Sequence, residues 1–267
     1  MATDDELLHQ NVMKEVMQFL MTIDFSLSPP EISREVHEII RKKTGILDPY
    51  KHVKKMANNK AKQQLPLLQK LVDHAADPLL MAVKLSIIGN VVDFGTIHRY
   101  DADEMIKKIE TLCFDDSNYP YFKKRLEEST SLLYLADNTG EILFDRLLLE
   151  QLHAMGKRTT VVVKSNPIIN DATIEDATWA GIDEYATVIK GDEGCEYSAP
   201  GLILKWTSNS FQHLLERVDM VISKGQGNYE ALNQIDREVF FLLMAKCPLV
   251  AKDIGCEKGT MVLQVNQ

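Results

Sequence analysis

An α/β protein, helical in its first part and built on a mostly parallel sheet thereafter, is what this sequence predicts. Two observations lead there. Up to about Ser129, apolar residues recur at helical spacing between breaks marked by proline and glycine. From Ser131 on, apolar runs of strand length alternate with helical segments and glycine turns, the βα pattern. The change of pattern places a domain boundary near Ser129, with a helical domain over 1–129 and a sheet-bearing domain over 130–267.

The elements follow in order. Residues 6–21 carry Leu7, Leu8, Val12, Val16, Phe19 and Leu20 on one stripe. Pro29 and Pro30 open a second helix over 32–43, which Gly45 ends. A third helix starts after Tyr50, rich in lysine through 51–62, where the pattern suggests a solvated face. Pro66 should kink or restart it. Asp77 and Pro78 open a helix apolar on most sides, hence central to the helical layer. Short helices are expected over 105–112 and 119–128. Strands are expected over 131–136, 159–163, 186–189, 220–223 and 240–245, with helices over 142–155, 172–180 and 209–218 between them.

Composition narrows the functional classes. The net charge of −9 opposes general nucleic-acid binding, which needs clustered Lys and Arg. No uncharged apolar span is long enough for a membrane helix, so no membrane partner is expected. The acidic start at Asp4, Asp5 and Glu6 is the opposite of a signal-peptide start. Cys113, Cys195, Cys247 and Cys256 form no Cys-x-x-Cys pair and read as free thiols of a cytoplasmic protein.

Three strand ends carry chemistry. The first is Asp137, Asn138, Thr139, Gly140 and Glu141; the second runs from Lys164, Ser165 and Asn166 to Asn170 and Asp171; the third is Lys224, Gly225, Gln226, Gly227 and Asn228. Helix capping competes for Asp137, Asn138 and Asp171, and an ordinary turn competes for the glycine loop. In a parallel sheet, however, all three open on one edge, where α/β proteins bind ligands. Asp carboxylates and an Asn carbonyl are hard oxygen donors suited to Mg²⁺, Mn²⁺ or a similar cation. Lys164, Lys224 and the loop N–H groups would hold a phosphate. An Asn90 and Asp93 pair, between Gly89 and Gly95, is compatible with either a turn or a site.

In the order Asn90 and Asp93, Asp137 to Glu141, Lys164 to Thr173, and Lys224 to Glu230, these motifs resemble the damage-control phosphatases, especially their stand-alone prokaryotic branch. The resemblance implies a helical domain packed on a three-layer α/β/α domain. It implies a divalent metal (Mn, Ni, Co or Mg) held by Asp137, Asn138 and Asp171, and hydrolysis of small phosphorylated metabolites such as sugar phosphates or damaged cofactor intermediates. Asn90, Asp93 and Lys224 would line the same pocket. On that basis Asp93, Asp137 and Lys224 are the expected catalytic groups, Asp93 as a candidate base. Asn90, Lys164, Asn166, Gly225, Gly227 and Asn228 are the expected phosphate and substrate contacts, and Glu141 supports the metal ligands. The Cys-x-x-Cys with which members of that branch often begin is absent here. Two other readings remain: a non-catalytic sensor of a phosphorylated metabolite, and, ranked lower for want of a glycine-rich loop for a methyl donor, a protein carboxyl methyltransferase. Oligomeric state is not legible in the sequence.

Overall fold

The computed structural model describes residues 3–89, 109 and 111–266. Asn90, Asp93 and most of the helix expected over 105–112 lie outside the described residues. Four helices come first: α1 (Glu6–Leu20), α2 (Pro29–Thr44), α3 (Lys51–Asp73) and α4 (Pro78–Ile88). Then follow β1 (Phe114–Asp115), α5 (Tyr119–Glu128), β2 (Ser131–Leu135), α6 (Glu141–Ala154), β3 (Arg158–Val163), α7 (Ile174–Ala180) and β4 (Thr187–Lys190). The chain closes with α8 (Asn209–Arg217), β5 (Met220–Lys224), α9 (Gln226–Leu232), β6 (Phe240–Met244), α10 (Pro248–Ile254) and β7 (Met261–Val265).

Among the described residues seven strands form one sheet in the order β1-β7-β6-β5-β2-β3-β4. Every adjacent pair is parallel except β6 and β7. Side-chain alternation along the strands sorts the core into two layers. Leu132, Tyr134, Val161, Val163, Ile222 and Leu242 pack on one face with α4 and α6. Leu133, Leu135, Val162, Val221, Phe241 and Leu243 pack on the other with α8 and α9. The result is the three-layer α/β/α arrangement. Burying each of the aliphatic side chains among these stabilises the fold by about 1.5–3 kcal/mol.

Several expectations need adjustment. The first core layer runs from Ala61 and Leu85 through Leu263, so residues on both sides of Ser129 share it. Strand β1 also precedes Ser129 and pairs with β7. Helices α3 and α4 therefore pack into the same core as the sheet, to which α1 and α2 contribute no residue. Helix α3 continues through Pro66 without a break, because Leu68 and Val72 beyond it are fully buried and hold the last turns in place. Its lysine-rich half is not a purely solvated face, since Lys54, Asn58 and Ala61 are buried. Helix α7 starts at Ile174, two residues later than expected. No helix among the described residues is long and apolar enough to cross a membrane.

One exposed carboxylate pins the start of the central strand. Asp219 Oδ2 accepts hydrogen bonds from the N–H groups of Thr130 and Ser131 at 2.9 and 2.8 Å, and from the Ser131 hydroxyl at 2.8 Å. Those bonds, led by the Ser131 backbone, lower its pKa to about 2. A depressed folded-state pKa adds stability that is present above the unfolded value near 3.8 and lost as pH falls toward 2. Thermal melts of wild type and Asp219→Asn should therefore differ at pH 6, with the gap closing between pH 4 and pH 2.

Candidate metal and phosphate site

Strand order reverses beside β2. The chain passes from β2 through α6 to β3 on one side, whereas β5 pairs with β2 on the other. The crevice at the carboxyl ends of β2 and β5 is thus a topological switch point, the usual ligand position in such sheets. Asp137 and Asn138 leave β2 there, and Gly225 leaves β5. The segment after β3 is tied in by backbone hydrogen bonds. Ala172 N–H donates to Asp137 O at 2.8 Å, and Thr139 N–H to Asn170 O at 2.8 Å. Asn138 and Asp171 form an isolated antiparallel bridge, and Lys164 and Thr173 a parallel one. Asp137, Asn138 and Asp171 are so brought to one place.

The helix caps decide between the competing readings of these residues. Gly140 is the N-cap of α6, with no side-chain capping bond. Thr173 caps α7, in a capping box with Asp176 at 2.9 and 2.8 Å. Asp137, Asn138 and Asp171 are therefore not capping residues.

Their electrostatics suit a bound cation. Asp171 is 3% exposed, and its Oδ1 has no hydrogen-bond partner; Lys164 Nζ stands 3.6 Å away. Burial raises its carboxyl well above the usual carboxylate range; Lys164 opposes the shift, and the charges of Asp137 and Asp192 add to it. The Asn138 amide nitrogen donates to Asp137 Oδ2 at 2.7 Å and to Glu141 Oε2 at 3.0 Å. That fixes the amide and leaves its carbonyl oxygen as the atom suited to a cation. Among the described residues no three His, Cys, Asp or Glu side chains gather into a metal-holding group. The donor set here is two carboxylates and one carboxamide. Its hardness, the burial of Asp171 and an Asp171 oxygen that accepts no hydrogen bond fit a divalent cation of the Mg²⁺ or Mn²⁺ kind.

Lys224 is placed differently from expectation. It is fully buried, and its ammonium donates to Glu141 Oε1 at 2.7 Å, Asp145 Oδ1 at 2.6 Å and Ser86 O at 2.7 Å. All three donors are taken, so none is left for a phosphate oxygen. Burial works against its charge, but Asp145 and Glu141 outweigh that and raise its pKa. Because Glu141 also holds Asn138, Lys224 acts on the site through Glu141.

The glycine loop is corrected in the same way. Asn228 accepts from Leu202 N–H and donates to the carbonyls of Lys224 and Ala136, so its amide ties loops together. Gly225 N–H donates to Leu242 O rather than facing a ligand. A Cβ on Gly227 would lie 2.7 Å from Pro200 O, so that glycine permits close packing of the 200–201 segment. Asn166 donates to Cys195 O, and its N–H to the Ser198 hydroxyl. Lys164 lies against Asp171, the only expected phosphate contact among the described residues whose charge reaches the carboxylates.

Two site residues escaped the sequence reading. Asn58 of α3 accepts from Gly140 N–H at 2.7 Å and donates to Asp176 at 2.8 Å, clamping both loops that carry the candidate ligands. The only sequence signal was a pair of asparagines in a lysine-rich helix. Asp192, after β4, accepts from Ser165 N–H at 2.8 Å; a strand followed by Gly191 and Asp192 was the available clue.

Fold and switch point define an α/β protein whose candidate ligand site is lined by hard oxygen donors. Comparison with known proteins makes this more specific. Residues 1–262 match the damage-control phosphatase ARMT1-like domain. A damage-control phosphatase of Archaeoglobus fulgidus is 36% identical over 99% of this chain and 92% of its own length. Damage-control phosphatase PH1575 of Pyrococcus horikoshii is 38% identical over 70% of this chain and 65% of its own. The crystal structure of PH1575, a DUF89 family protein, superposes with a TM-score of 0.86 at 30% identity, over 100% of this chain and 92% of that one. The chain belongs to the damage-control phosphatase ARMT1-like family.

Gly225 offers a sharp check of the site. Its φ is +80°, and a Cβ there would fall 1.8 Å from Asp137 Oδ2. Gly225→Ala should push the Asp137 carboxylate aside and lower metal affinity by about tenfold or more, measured by calorimetry. Gly255→Ala, in open space at a similar φ of +85°, controls for backbone strain and should leave metal affinity unchanged.

Proposed function

We propose that this phosphatase is metal-dependent and hydrolyses phosphate monoesters of small metabolites, such as sugar phosphates or damaged cofactor intermediates. One observation carries the reading. A buried carboxylate, a half-buried one and a fixed carboxamide converge at the switch point, an oxygen of the buried Asp171 accepts no hydrogen bond, and the family is one of phosphatases. Asp137, Asn138 and Asp171 would hold the cation, with Mn, Ni, Co and Mg the candidates. Bound there, it would supply Lewis-acid withdrawal of charge from a phosphoryl oxygen.

The chain's own residues do the rest. Glu141 orients the Asn138 amide, and the buried Lys224 keeps a positive charge beside Glu141. Lys164 neutralises Asp171 and is the proposed phosphate contact, since its charge lies against the ligand set at 5% exposure. Asp93 stays the proposed base, and Asn90 a proposed substrate contact. Free cysteines throughout the chain support work in the reducing cytoplasm.

Phosphate release from a panel of esters, crossed with Mg²⁺, Mn²⁺, Co²⁺ and Ni²⁺, tests this. Chelator should abolish turnover and one of the metals restore it. Asp137→Asn and Asp171→Asn should each lower kcat/KM by more than about a hundredfold with the fold intact. Full metal-dependent turnover by Asp137→Asn would remove the site from the mechanism.

A further inference from the structure

Beside the candidate metal site lies a cleft of about 650 Å³, within the size range of metabolite pockets. Ser165 and Thr173 line its sheet side, and Lys51, Lys54 and Lys55 of α3 line the other, with Lys190 at the end of β4. It adjoins the site through a single loop. Lys164, next to Ser165, pairs with Asp171, and Thr173 lies two residues past Asp171.

The charge in this cleft runs against that of the whole chain, which is −9. Its acidic members are largely engaged. Asp48 pairs with Lys54 at 3.1 Å, and Asp176 is held by Thr173 and by Asn58. Lys51, Lys55 and Lys190 are exposed, and among the described residues none of the three is in an ion pair; the exposed Glu175 is the one acidic group left beside them. Lys51 and Lys55 stand four residues apart, so they share the α3 face that also presents Asn58 and Asn59. The lysine run of this helix thus lines a ligand-sized cleft.

We propose that this cleft binds a second anionic group of the substrate, a carboxylate or second phosphate beyond the one hydrolysed, through Lys51, Lys55 and Lys190. The proposal rests on the phosphatase reading, and it narrows the substrate class to phosphate esters carrying two anionic groups. Exposed lysines each contribute modestly to an anion, and three together give about tenfold to a hundredfold in affinity.

Non-hydrolysable probes test it on the metal-loaded full chain. Alkylphosphonates of three to six carbons are compared by calorimetry with the same chains ending in a carboxylate. At one chain length or more the carboxylate should tighten binding about tenfold or more. Lys51→Ala/Lys55→Ala/Lys190→Ala should remove that advantage, and arginine at the three positions should keep it. The carboxylated phosphonate should also inhibit p-nitrophenyl phosphate hydrolysis competitively. No carboxylate advantage at any length, an advantage that survives the triple alanine variant, or non-competitive inhibition, which would mark a separate effector site, overturns the proposal. Absence of ester hydrolysis with every metal would instead overturn the phosphatase reading, while the calorimetric comparison still decides the cleft.

Discussion

Two backbone hydrogen bonds between the loops after β2 and β3 set the terms for the rest of the molecule. Ala172 N–H to Asp137 O and Thr139 N–H to Asn170 O hold those loops side by side at the sheet edge. They force Asp137 and Asp171 together in a setting where Asp171 is almost fully buried. Like charges at close range and low dielectric repel strongly, and neither carboxylate is committed to a helix cap. The fold tolerates this arrangement because its strand pairing and core hold the loops in place. A divalent cation is what would turn the repulsion into binding.

The surrounding polar groups make sense as supports of that pair. Asn58 reaches in from α3 to satisfy the Gly140 N–H and, through Asp176, to brace the start of α7. Gly225 leaves room for the Asp137 carboxylate where any side chain would collide with it. Beneath them, Lys224 sits between Glu141 and Asp145, and Tyr134 donates its hydroxyl to the same Asp145 oxygen. A buried cation with two carboxylates is costly to dismantle, about 3–5 kcal/mol when one partner is removed. This cluster therefore fixes Glu141, and Glu141 fixes Asn138. The chemistry at the surface of the crevice depends on an ion network that solvent does not reach.

Much of the fold was legible because its signals are local. The unbroken Val161, Val162 and Val163 run marks β3, and the apolar positions of α4 mark a central helix. The order of the four motifs carried the family. What stayed hidden depends on contacts between distant positions. Strand β1 has two residues, too few for a periodic signal, and exists because β7 returns beside it. Lys224 meets Glu141 and Asp145 across 83 and 79 residues, so a lysine after a strand looked like a phosphate contact when it was an internal ion pair. Asn228 shows the same limit: its amide bonds to Leu202 N–H and Ala136 O, neither visible from its own loop. The lysines of α3 read as a solvated face because sequence cannot show what lies opposite a helix, here the loop that bears Asp171.

The central claim is that Asp137, Asn138 and Asp171 form a metal centre. Anomalous diffraction at the manganese edge, from crystals grown with Mn²⁺, tests it most directly. The account predicts one strong peak in contact with an oxygen of each of the three side chains. No peak there, or a peak bound elsewhere on the protein, would contradict it.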